Sequence, residues 1–226
     1  MIIYNELEKA VFAFFKRKHE DDNNFTFSVR KKANKGAEKN IFIGTEKSGY
    51  FGTTFWKIPV GYPGSSSDCI DLFFLPKGDE ITYKFEFSQT NSPDDPQNQS
   101  ALNLIANSKE LLKDSLGLQY ESSDDNKMYA YTTKAKKKSY LNTDELFQDI
   151  EADIDVIIKI IDSQIIKEQK NNPDFVAHRW TKDEFDLLIE KLEKRISKAD
   201  EISVLQAFIE KVKNQLINEN NNDFDF

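Results

Sequence analysis

Residues Asp68 to Ser88 read DCIDLFFLPKGDEITYKFEFS, two apolar runs around Pro76-Lys77-Gly78-Asp79. Proline and glycine punctuate a turn. The flanking runs carry the residue types of paired strands. On the second run Tyr83, Phe85 and Phe87 point one way, and Lys84, Glu86 and Ser88 the other. That period of two is the mark of a strand with one buried face. A chain built on this hairpin contains an antiparallel or mixed sheet, and its aromatic face needs an apolar layer to cover it.

Helical spacing supplies that layer. Over residues 3–18, Leu7, Val11, Phe14 and Phe15 share a face, with Lys and Arg late in the segment where the helix dipole favours them. Ala101, Leu102, Ile105, Leu111 and Leu112 mark a second helix ending near Gly117. Asn142 or Thr143 caps a third, with Leu146, Ile150, Ile154, Ile157, Ile158 and Ile161 on its apolar face. Further strands are predicted over 25–29, 40–44, 55–60 and 127–134. The order predicts an α+β fold, a mixed or antiparallel sheet flanked by helices, followed by a C-terminal helical extension. The expected domains are residues 1–168 and an extension over 169–226. Asn171-Asn172-Pro173 breaks the chain, and Thr181-Lys-Asp-Glu184 is a capping box opening a helix through about Lys198. A separate helix is expected from Asp200 or Ser203, with Val204, Phe208, Val212 and Leu216 on one face. The last residues, NENNNDFDF, read as a disordered tail.

Several chemistries are excluded. Cys69 is the only cysteine, so no intramolecular disulfide or cysteine-built zinc site forms. His19 and His178 are the only histidines and lie far apart in sequence, which argues against a histidine metal site or triad. No phosphate-binding GxxxxGK[ST], GxGxxG or HExxH occurs. No metal site and no cofactor are therefore expected. No run approaches a membrane span, and the N-terminus lacks a basic leader and cleavage site, so the expected location is cytoplasmic.

Net charge is −8, but unevenly spread. Residues 1–140 carry 20 basic against 19 acidic side chains, and 141–226 carry 11 against 20. Basic runs occur at Arg30, Lys31, Lys32 and Lys35, and again at Lys134, Lys136, Lys137 and Lys138. Such runs are commonly solvated surface, and they are also what phosphate contacts require.

Two candidate sites stand out. The first is GYFGTTFW, which places Tyr50, Phe51, Phe55 and Trp56 in a glycine-bearing loop. Glycine admits close approach of a backbone to a ligand, and exposed rings offer a base something to stack on. The competing reading makes these rings core. The second is a carboxylate pair, Asp71 on one strand and Glu86 on the next. A PD-(D/E)xK nuclease holds magnesium with an Asp and a Glu-x-Lys on neighbouring strands. Here Ser88 stands where that lysine belongs, and Lys84 lies on the other side of Glu86.

From about residue 40 to 163 the order of segments resembles the N-terminal DNA-binding domain of the McrB family, the targeting subunits of modification-dependent restriction systems. The resemblance rests on the aromatic glycine loop leading to Trp56 and Pro59, the IDLFF strand, the FSQTNSPDDP segment, the helix after it, the strand MYAYTTK and the long closing helix. It implies a module that flips a methylated or otherwise modified cytosine out of duplex DNA into an aromatic pocket. Tyr50, Trp56 and Leu72 match pocket positions, although the loop from Tyr50 to Trp56 is two residues shorter than in the family. Tyr120, Tyr129 and Tyr131 are the candidates for a further pocket tyrosine. Thr53, Ser88, Gln89 and Asn91 are candidates to read the base edge, and the basic runs at Arg30, Lys31, Lys32, Lys35, Lys134, Lys136 and Lys137 to hold phosphates. The implied partners are double-stranded DNA, an AAA+ GTPase motor region and a separate nuclease subunit, with no catalysis by this chain alone. The alternatives are the magnesium-dependent nuclease on Asp71 and Glu86, and an interaction domain using its C-terminal helices with all the aromatic rings buried.

Overall fold

The computed structural model describes residues 4–28, 30–32, 39–44, 48, 50–55, 69–78, 80–90, 96–116, 120–125, 128–133, 140–175 and 182–222. It divides into two compact units, Met1–Thr181 and Lys182–Phe226. The boundary lies beyond the break expected at 168, because α3 (Thr143–Asn171) runs to Asn171 and Phe175 after it is buried.

In the first unit α1 (Tyr4–Asp21) precedes β1 (Phe27–Ser28), β2 (Arg30–Lys32), β3 (Lys39–Ile41), β4 (Phe51–Phe55), β5 (Cys69–Lys77) and β6 (Glu80–Thr90). Then come α2 (Pro96–Leu116), β7 (Tyr120–Asp125), β8 (Met128–Thr133) and α3. Six strands form one sheet in the order β1-β4-β5-β6-β8-β7, and β2 and β3 form a separate ribbon. Every described strand pair is antiparallel. The fold is α+β, with the sheet flanked by helices.

The β5–β6 hairpin anchors it. Lys77 pairs with Glu80, and Gly78 sits at φ 64°, a left-handed conformation that glycine adopts without the steric cost of a Cβ. The predicted alternation holds. Ile70, Leu72 and Phe74 of β5 and Ile81, Tyr83, Phe85 and Phe87 of β6 are buried on one face. That face meets the apolar stripes of the helices, where Leu7, Val11, Phe14 and Phe15 of α1, Leu104, Ile105 and Leu112 of α2, and Leu146, Ile150, Ile154, Ile157 and Ile161 of α3 are buried. Asn142 caps α3, its side chain accepting a hydrogen bond from the Glu145 N–H, and Asp144 and Glu145 complement the dipole at that end.

Phenylalanine knits the layers together. The Phe15 ring lies 5.6 Å from Phe25, 5.4 Å from Phe27 and 6.0 Å from Phe55, nearly parallel to each. Phe55 meets Phe85 edge-on at 6.1 Å, and Phe85 meets Tyr83 at 5.7 Å. One chain of ring contacts thus runs from α1 through β4 to β6. Two tyrosines add polar fastening. The Tyr83 hydroxyl donates to Asp153 of α3 at 2.6 Å, and the Tyr140 hydroxyl donates to Asp149. Ile81 and Tyr140 exchange backbone hydrogen bonds of 3.1 and 3.0 Å, so the start of α3 is tied to β6 through main chain as well.

Three expectations need correction. The aromatic glycine segment is not a loop over 51–55 but β4, with Phe51 opposite Phe74 and Phe55 opposite Ile70. Phe51, Thr53 and Phe55 alternate with Gly52 and Thr54, and burial of that alternating set outweighs the weak strand propensity of one glycine. β7, with the sequence YESSDD, was not anticipated. It has no apolar alternation to announce it, and it joins the sheet through backbone pairing with β8 at the outer edge. The second unit holds one helix, α4 (Lys182–Asn222), where two were expected. Asp200 and Ser203 are only mildly unfavourable inside a helix, and no Gly or Pro interrupts the segment. Residues 218–222 of the expected disordered tail belong to α4, and 223–226 lie outside the described residues.

Candidate functional site: the open face of the sheet

The face of β5 and β6 turned away from the phenylalanine core carries Asp71, Phe73 and Leu75 opposite Glu86, Lys84 and Thr82. All six are half-buried. Alternation puts them there, because each is one residue out of phase with a core position.

Phe73 is the centre of this surface. It pairs with Gly52 of β4, where a Cβ would stand 2.8 Å from the Phe73 ring. Only a glycine leaves room for the ring to lie across its neighbour strand, a cross-strand device that gives the aromatic side chain a defined seat. The half-buried Tyr50 ring meets Phe73 edge-on, with centroids 5.2 Å apart and planes at 70°. From the other side the Lys84 ammonium lies 5.3 Å from the Phe73 centroid and 3.9 Å from a Glu86 carboxylate oxygen. A cation over a ring face is attracted by its quadrupole. The result is a ring pair with a cation on one flank, on the face of the sheet opposite the phenylalanine core.

The carboxylates lie beside it. Asp71 and Glu86 are directly opposite in register, so their Cβ atoms fall within about 5.5 Å. Like charges at that position repel, and the Lys84–Glu86 ion pair offsets part of the cost. The same register line continues to Thr54 on β4, Thr132 on β8 and Glu121 on β7. Among the described residues no group of three or more Asp, Glu, His or Cys is gathered for a metal ion.

Among the described residues, those expected to wall a base pocket are not brought together. Tyr50 lies with Phe73 on the open face. Leu72 and Thr53 pair with one another across β4 and β5 on the core face, at 0% and 1% exposure, and offer no surface to a ligand. They are corrected from pocket residues to core residues, because their phase in the strand is that of Ile70 and Phe74 rather than Phe73. Phe51 and Phe55 are core as well. Gln89 pairs with Tyr129 of β8, and Ser88 with Ala130, while Tyr131 lies opposite Phe87 and Tyr120 opposite Thr133. Trp56, Asn91, Lys35, Lys134, Lys136 and Lys137 lie outside the described residues. Arg30, Lys31 and Lys32 form β2, which pairs with β3 so that Lys32 stands opposite Lys39.

Phe73 was missed in the sequence although its signal was present. Within IDLFFL it shares the phase of Asp71, on the polar side of the strand. An aromatic residue in a polar phase marks a ring left outside the core.

Family models, curated proteins and solved structures yielded no match to this chain, so its relationship to known proteins rests on its own residues.

Proposed function

We propose that this chain is a DNA-binding recognition module of a restriction or anti-phage defence system, of the McrB kind, that reads a base swung out of its stack. The observation that carries the reading is the Tyr50–Phe73 ring pair with Lys84 beside it, on the side of the sheet that the core does not use. Stacking a base on an aromatic ring is worth roughly 1–3 kcal/mol, enough to offset much of the cost of unstacking it. The β2–β3 ribbon supports the same reading. It carries Arg30, Lys31 and Lys32 in one strand and Lys39 in the other, the residue types that phosphate contacts use. Base contacts then specify, and the ribbon positions. Cleavage falls to partners, an AAA+ GTPase motor and a separate nuclease subunit, and the chain needs no cofactor.

Fluorescence anisotropy with duplexes differing only in cytosine modification tests the reading. Tyr50→Ala and Phe73→Ala are each expected to weaken binding about 10-fold, in line with the loss of one stacking contact, while the thermal midpoint changes little. Normal binding by both variants sinks the assignment of the ring pair. Equal binding to every duplex removes the claim of modification specificity.

The register of Asp71 opposite Glu86 favours a second reading, a magnesium-dependent nuclease with these two carboxylates as metal ligands. Magnesium-dependent cleavage of DNA, abolished in Asp71→Asn, is its expected result. A chain that binds DNA and leaves it intact at every magnesium concentration eliminates it.

A further inference from the structure

Phe73 lies opposite Lys84 in the β5–β6 register, and Glu86 is two residues along β6 on the same face. A diagonal neighbour of this kind stands about 7–8 Å away at the backbone, within reach of an aromatic or long side chain. The edge of a base stacked on Phe73 therefore comes within reach of the Lys84 ammonium, 5.3 Å from the ring centroid, and of the Glu86 carboxylate. The ammonium and carboxylate are 3.9 Å apart, too far for a hydrogen bond. Their attraction thus takes up neither a donor of Lys84 nor a lone pair of Glu86. The two side chains are only 28% and 29% exposed, so salt screens them less than groups on an open surface.

A carboxylate is out of place against the DNA backbone, because phosphate repels it. Against a base edge it has a definite use. An ionised carboxylate only accepts hydrogen bonds, and the donor that suits it is the exocyclic amino group of cytosine or adenine. In both bases that group adjoins an unprotonated ring nitrogen on the Watson–Crick edge, which accepts from an ammonium. Thymine carries a carbonyl in place of the amino group and a proton on the adjoining nitrogen. Its edge sets oxygen against carboxylate and N–H against ammonium. Asp71, opposite Glu86 in register, adds a second negative charge on that side.

Resting on the reading of Tyr50 and Phe73 as a base platform, we infer that Glu86 is its specificity-determining residue. The Glu86 carboxylate accepts a hydrogen bond from the amino group of the stacked base, Lys84 donates to the adjoining ring nitrogen, and the platform takes amino-bearing bases and rejects thymine.

Fluorescence anisotropy in EDTA tests this with two duplexes, one carrying 5-methylcytosine and the other thymine at the same position opposite guanine. Thymine is 5-methyluracil, so the two bases differ only in the amino group and the ring-nitrogen proton beside it. The expected result is at least ~10-fold tighter binding of the 5-methylcytosine duplex, although a mispaired thymine is cheaper to unstack. Glu86→Gln keeps the shape but donates as well as accepts, and is expected to bring the ratio below about 3-fold. Tyr50→Ala is expected to weaken both duplexes and leave the ratio within about 2-fold of its original value. Thymine bound as tightly as 5-methylcytosine, or a ratio unchanged in Glu86→Gln, overturns the inference even where Tyr50→Ala and Phe73→Ala lose affinity. Full binding by those two ring variants removes the platform itself, and the inference with it. A preference that emerges only when magnesium is added assigns Glu86 to a metal and overturns it as well.

Discussion

Above pH 10 the protein is expected to lose stability by about 2.7 kcal/mol for each further pH unit from two side chains alone. Tyr83 and Tyr140 are buried, at 1% and 0% exposure. Burial raises the pKa of each phenol well above its ordinary value, and the hydrogen bond each donates to a carboxylate, Asp153 or Asp149, raises it further. A phenolate at either position faces a carboxylate, inside the core at Tyr83 and at its edge at Tyr140, so the folded chain holds both protons. The unfolded chain releases them near pH 10. Above that value the unfolded state binds fewer protons than the native state, and stability falls as pH rises. The full contribution is present below pH 10 and is lost on the climb towards the raised native values. Each tyrosine contributes about 1.4 kcal/mol per unit, and net stability is only about 5–15 kcal/mol, so one to two units consume a large share of it. Urea titrations from pH 8 to about 11.5 check this. Tyr83→Phe is expected to halve the tyrosine part of the slope, while costing about 1–3 kcal/mol at neutral pH because Asp153 loses its donor. Phenolate absorbance gives an independent readout, since two of the eight tyrosines should stay silent until the chain unfolds. A stability profile flat above pH 10, or a slope unchanged in Tyr83→Phe, contradicts the account.

Phe15→Ala is expected to cost about 3–5 kcal/mol, with a fall in thermal midpoint on the order of 10 °C. Phe15 has no exposed surface and stacks on Phe25, Phe27 and Phe55 at once. Those partners sit on the segment after α1, on β1 and on β4, and none of them moves into the vacated space without giving up its own contacts. Phe15→Leu refills part of the void and is expected to recover roughly half of the loss. A cost below about 1.5 kcal/mol for Phe15→Ala means that this cluster is not the joint between α1 and the sheet. Chemical denaturation at neutral pH measures both variants.

Much of the fold is legible in the residues. The Asp68–Ser88 segment predicts its own hairpin because alternation and turn chemistry agree. α3 announces itself through one apolar stripe and an Asn cap. Readability fails where pairing is made by backbone alone, as in YESSDD, and where a residue type suggests a loop but its neighbours alternate, as around Gly52. The candidate site was legible only in part. Tyr50 lies on the open face and Lys84 shares the face of Glu86, as their positions indicate. Leu72 and Thr53 were expected at a pocket, but their strand phase belongs to the core, and Phe73 one residue on is the ring that meets Tyr50.

The amino-acid order by itself determines the local choices here: that β5 and β6 alternate as strands, where Gly78 turns the chain, which face of α1, α2 and α3 is apolar. Those depend on neighbours within a few residues, and the periodicities of strand and helix record them directly. Which strands lie side by side was decided only in three dimensions. The order β1-β4-β5-β6-β8-β7 sets Gly52 beside Phe73 and Glu86 beside Thr132. Such neighbours are chosen by closing a common core, a gain shared among residues far apart in the chain, and so no local pattern encodes them.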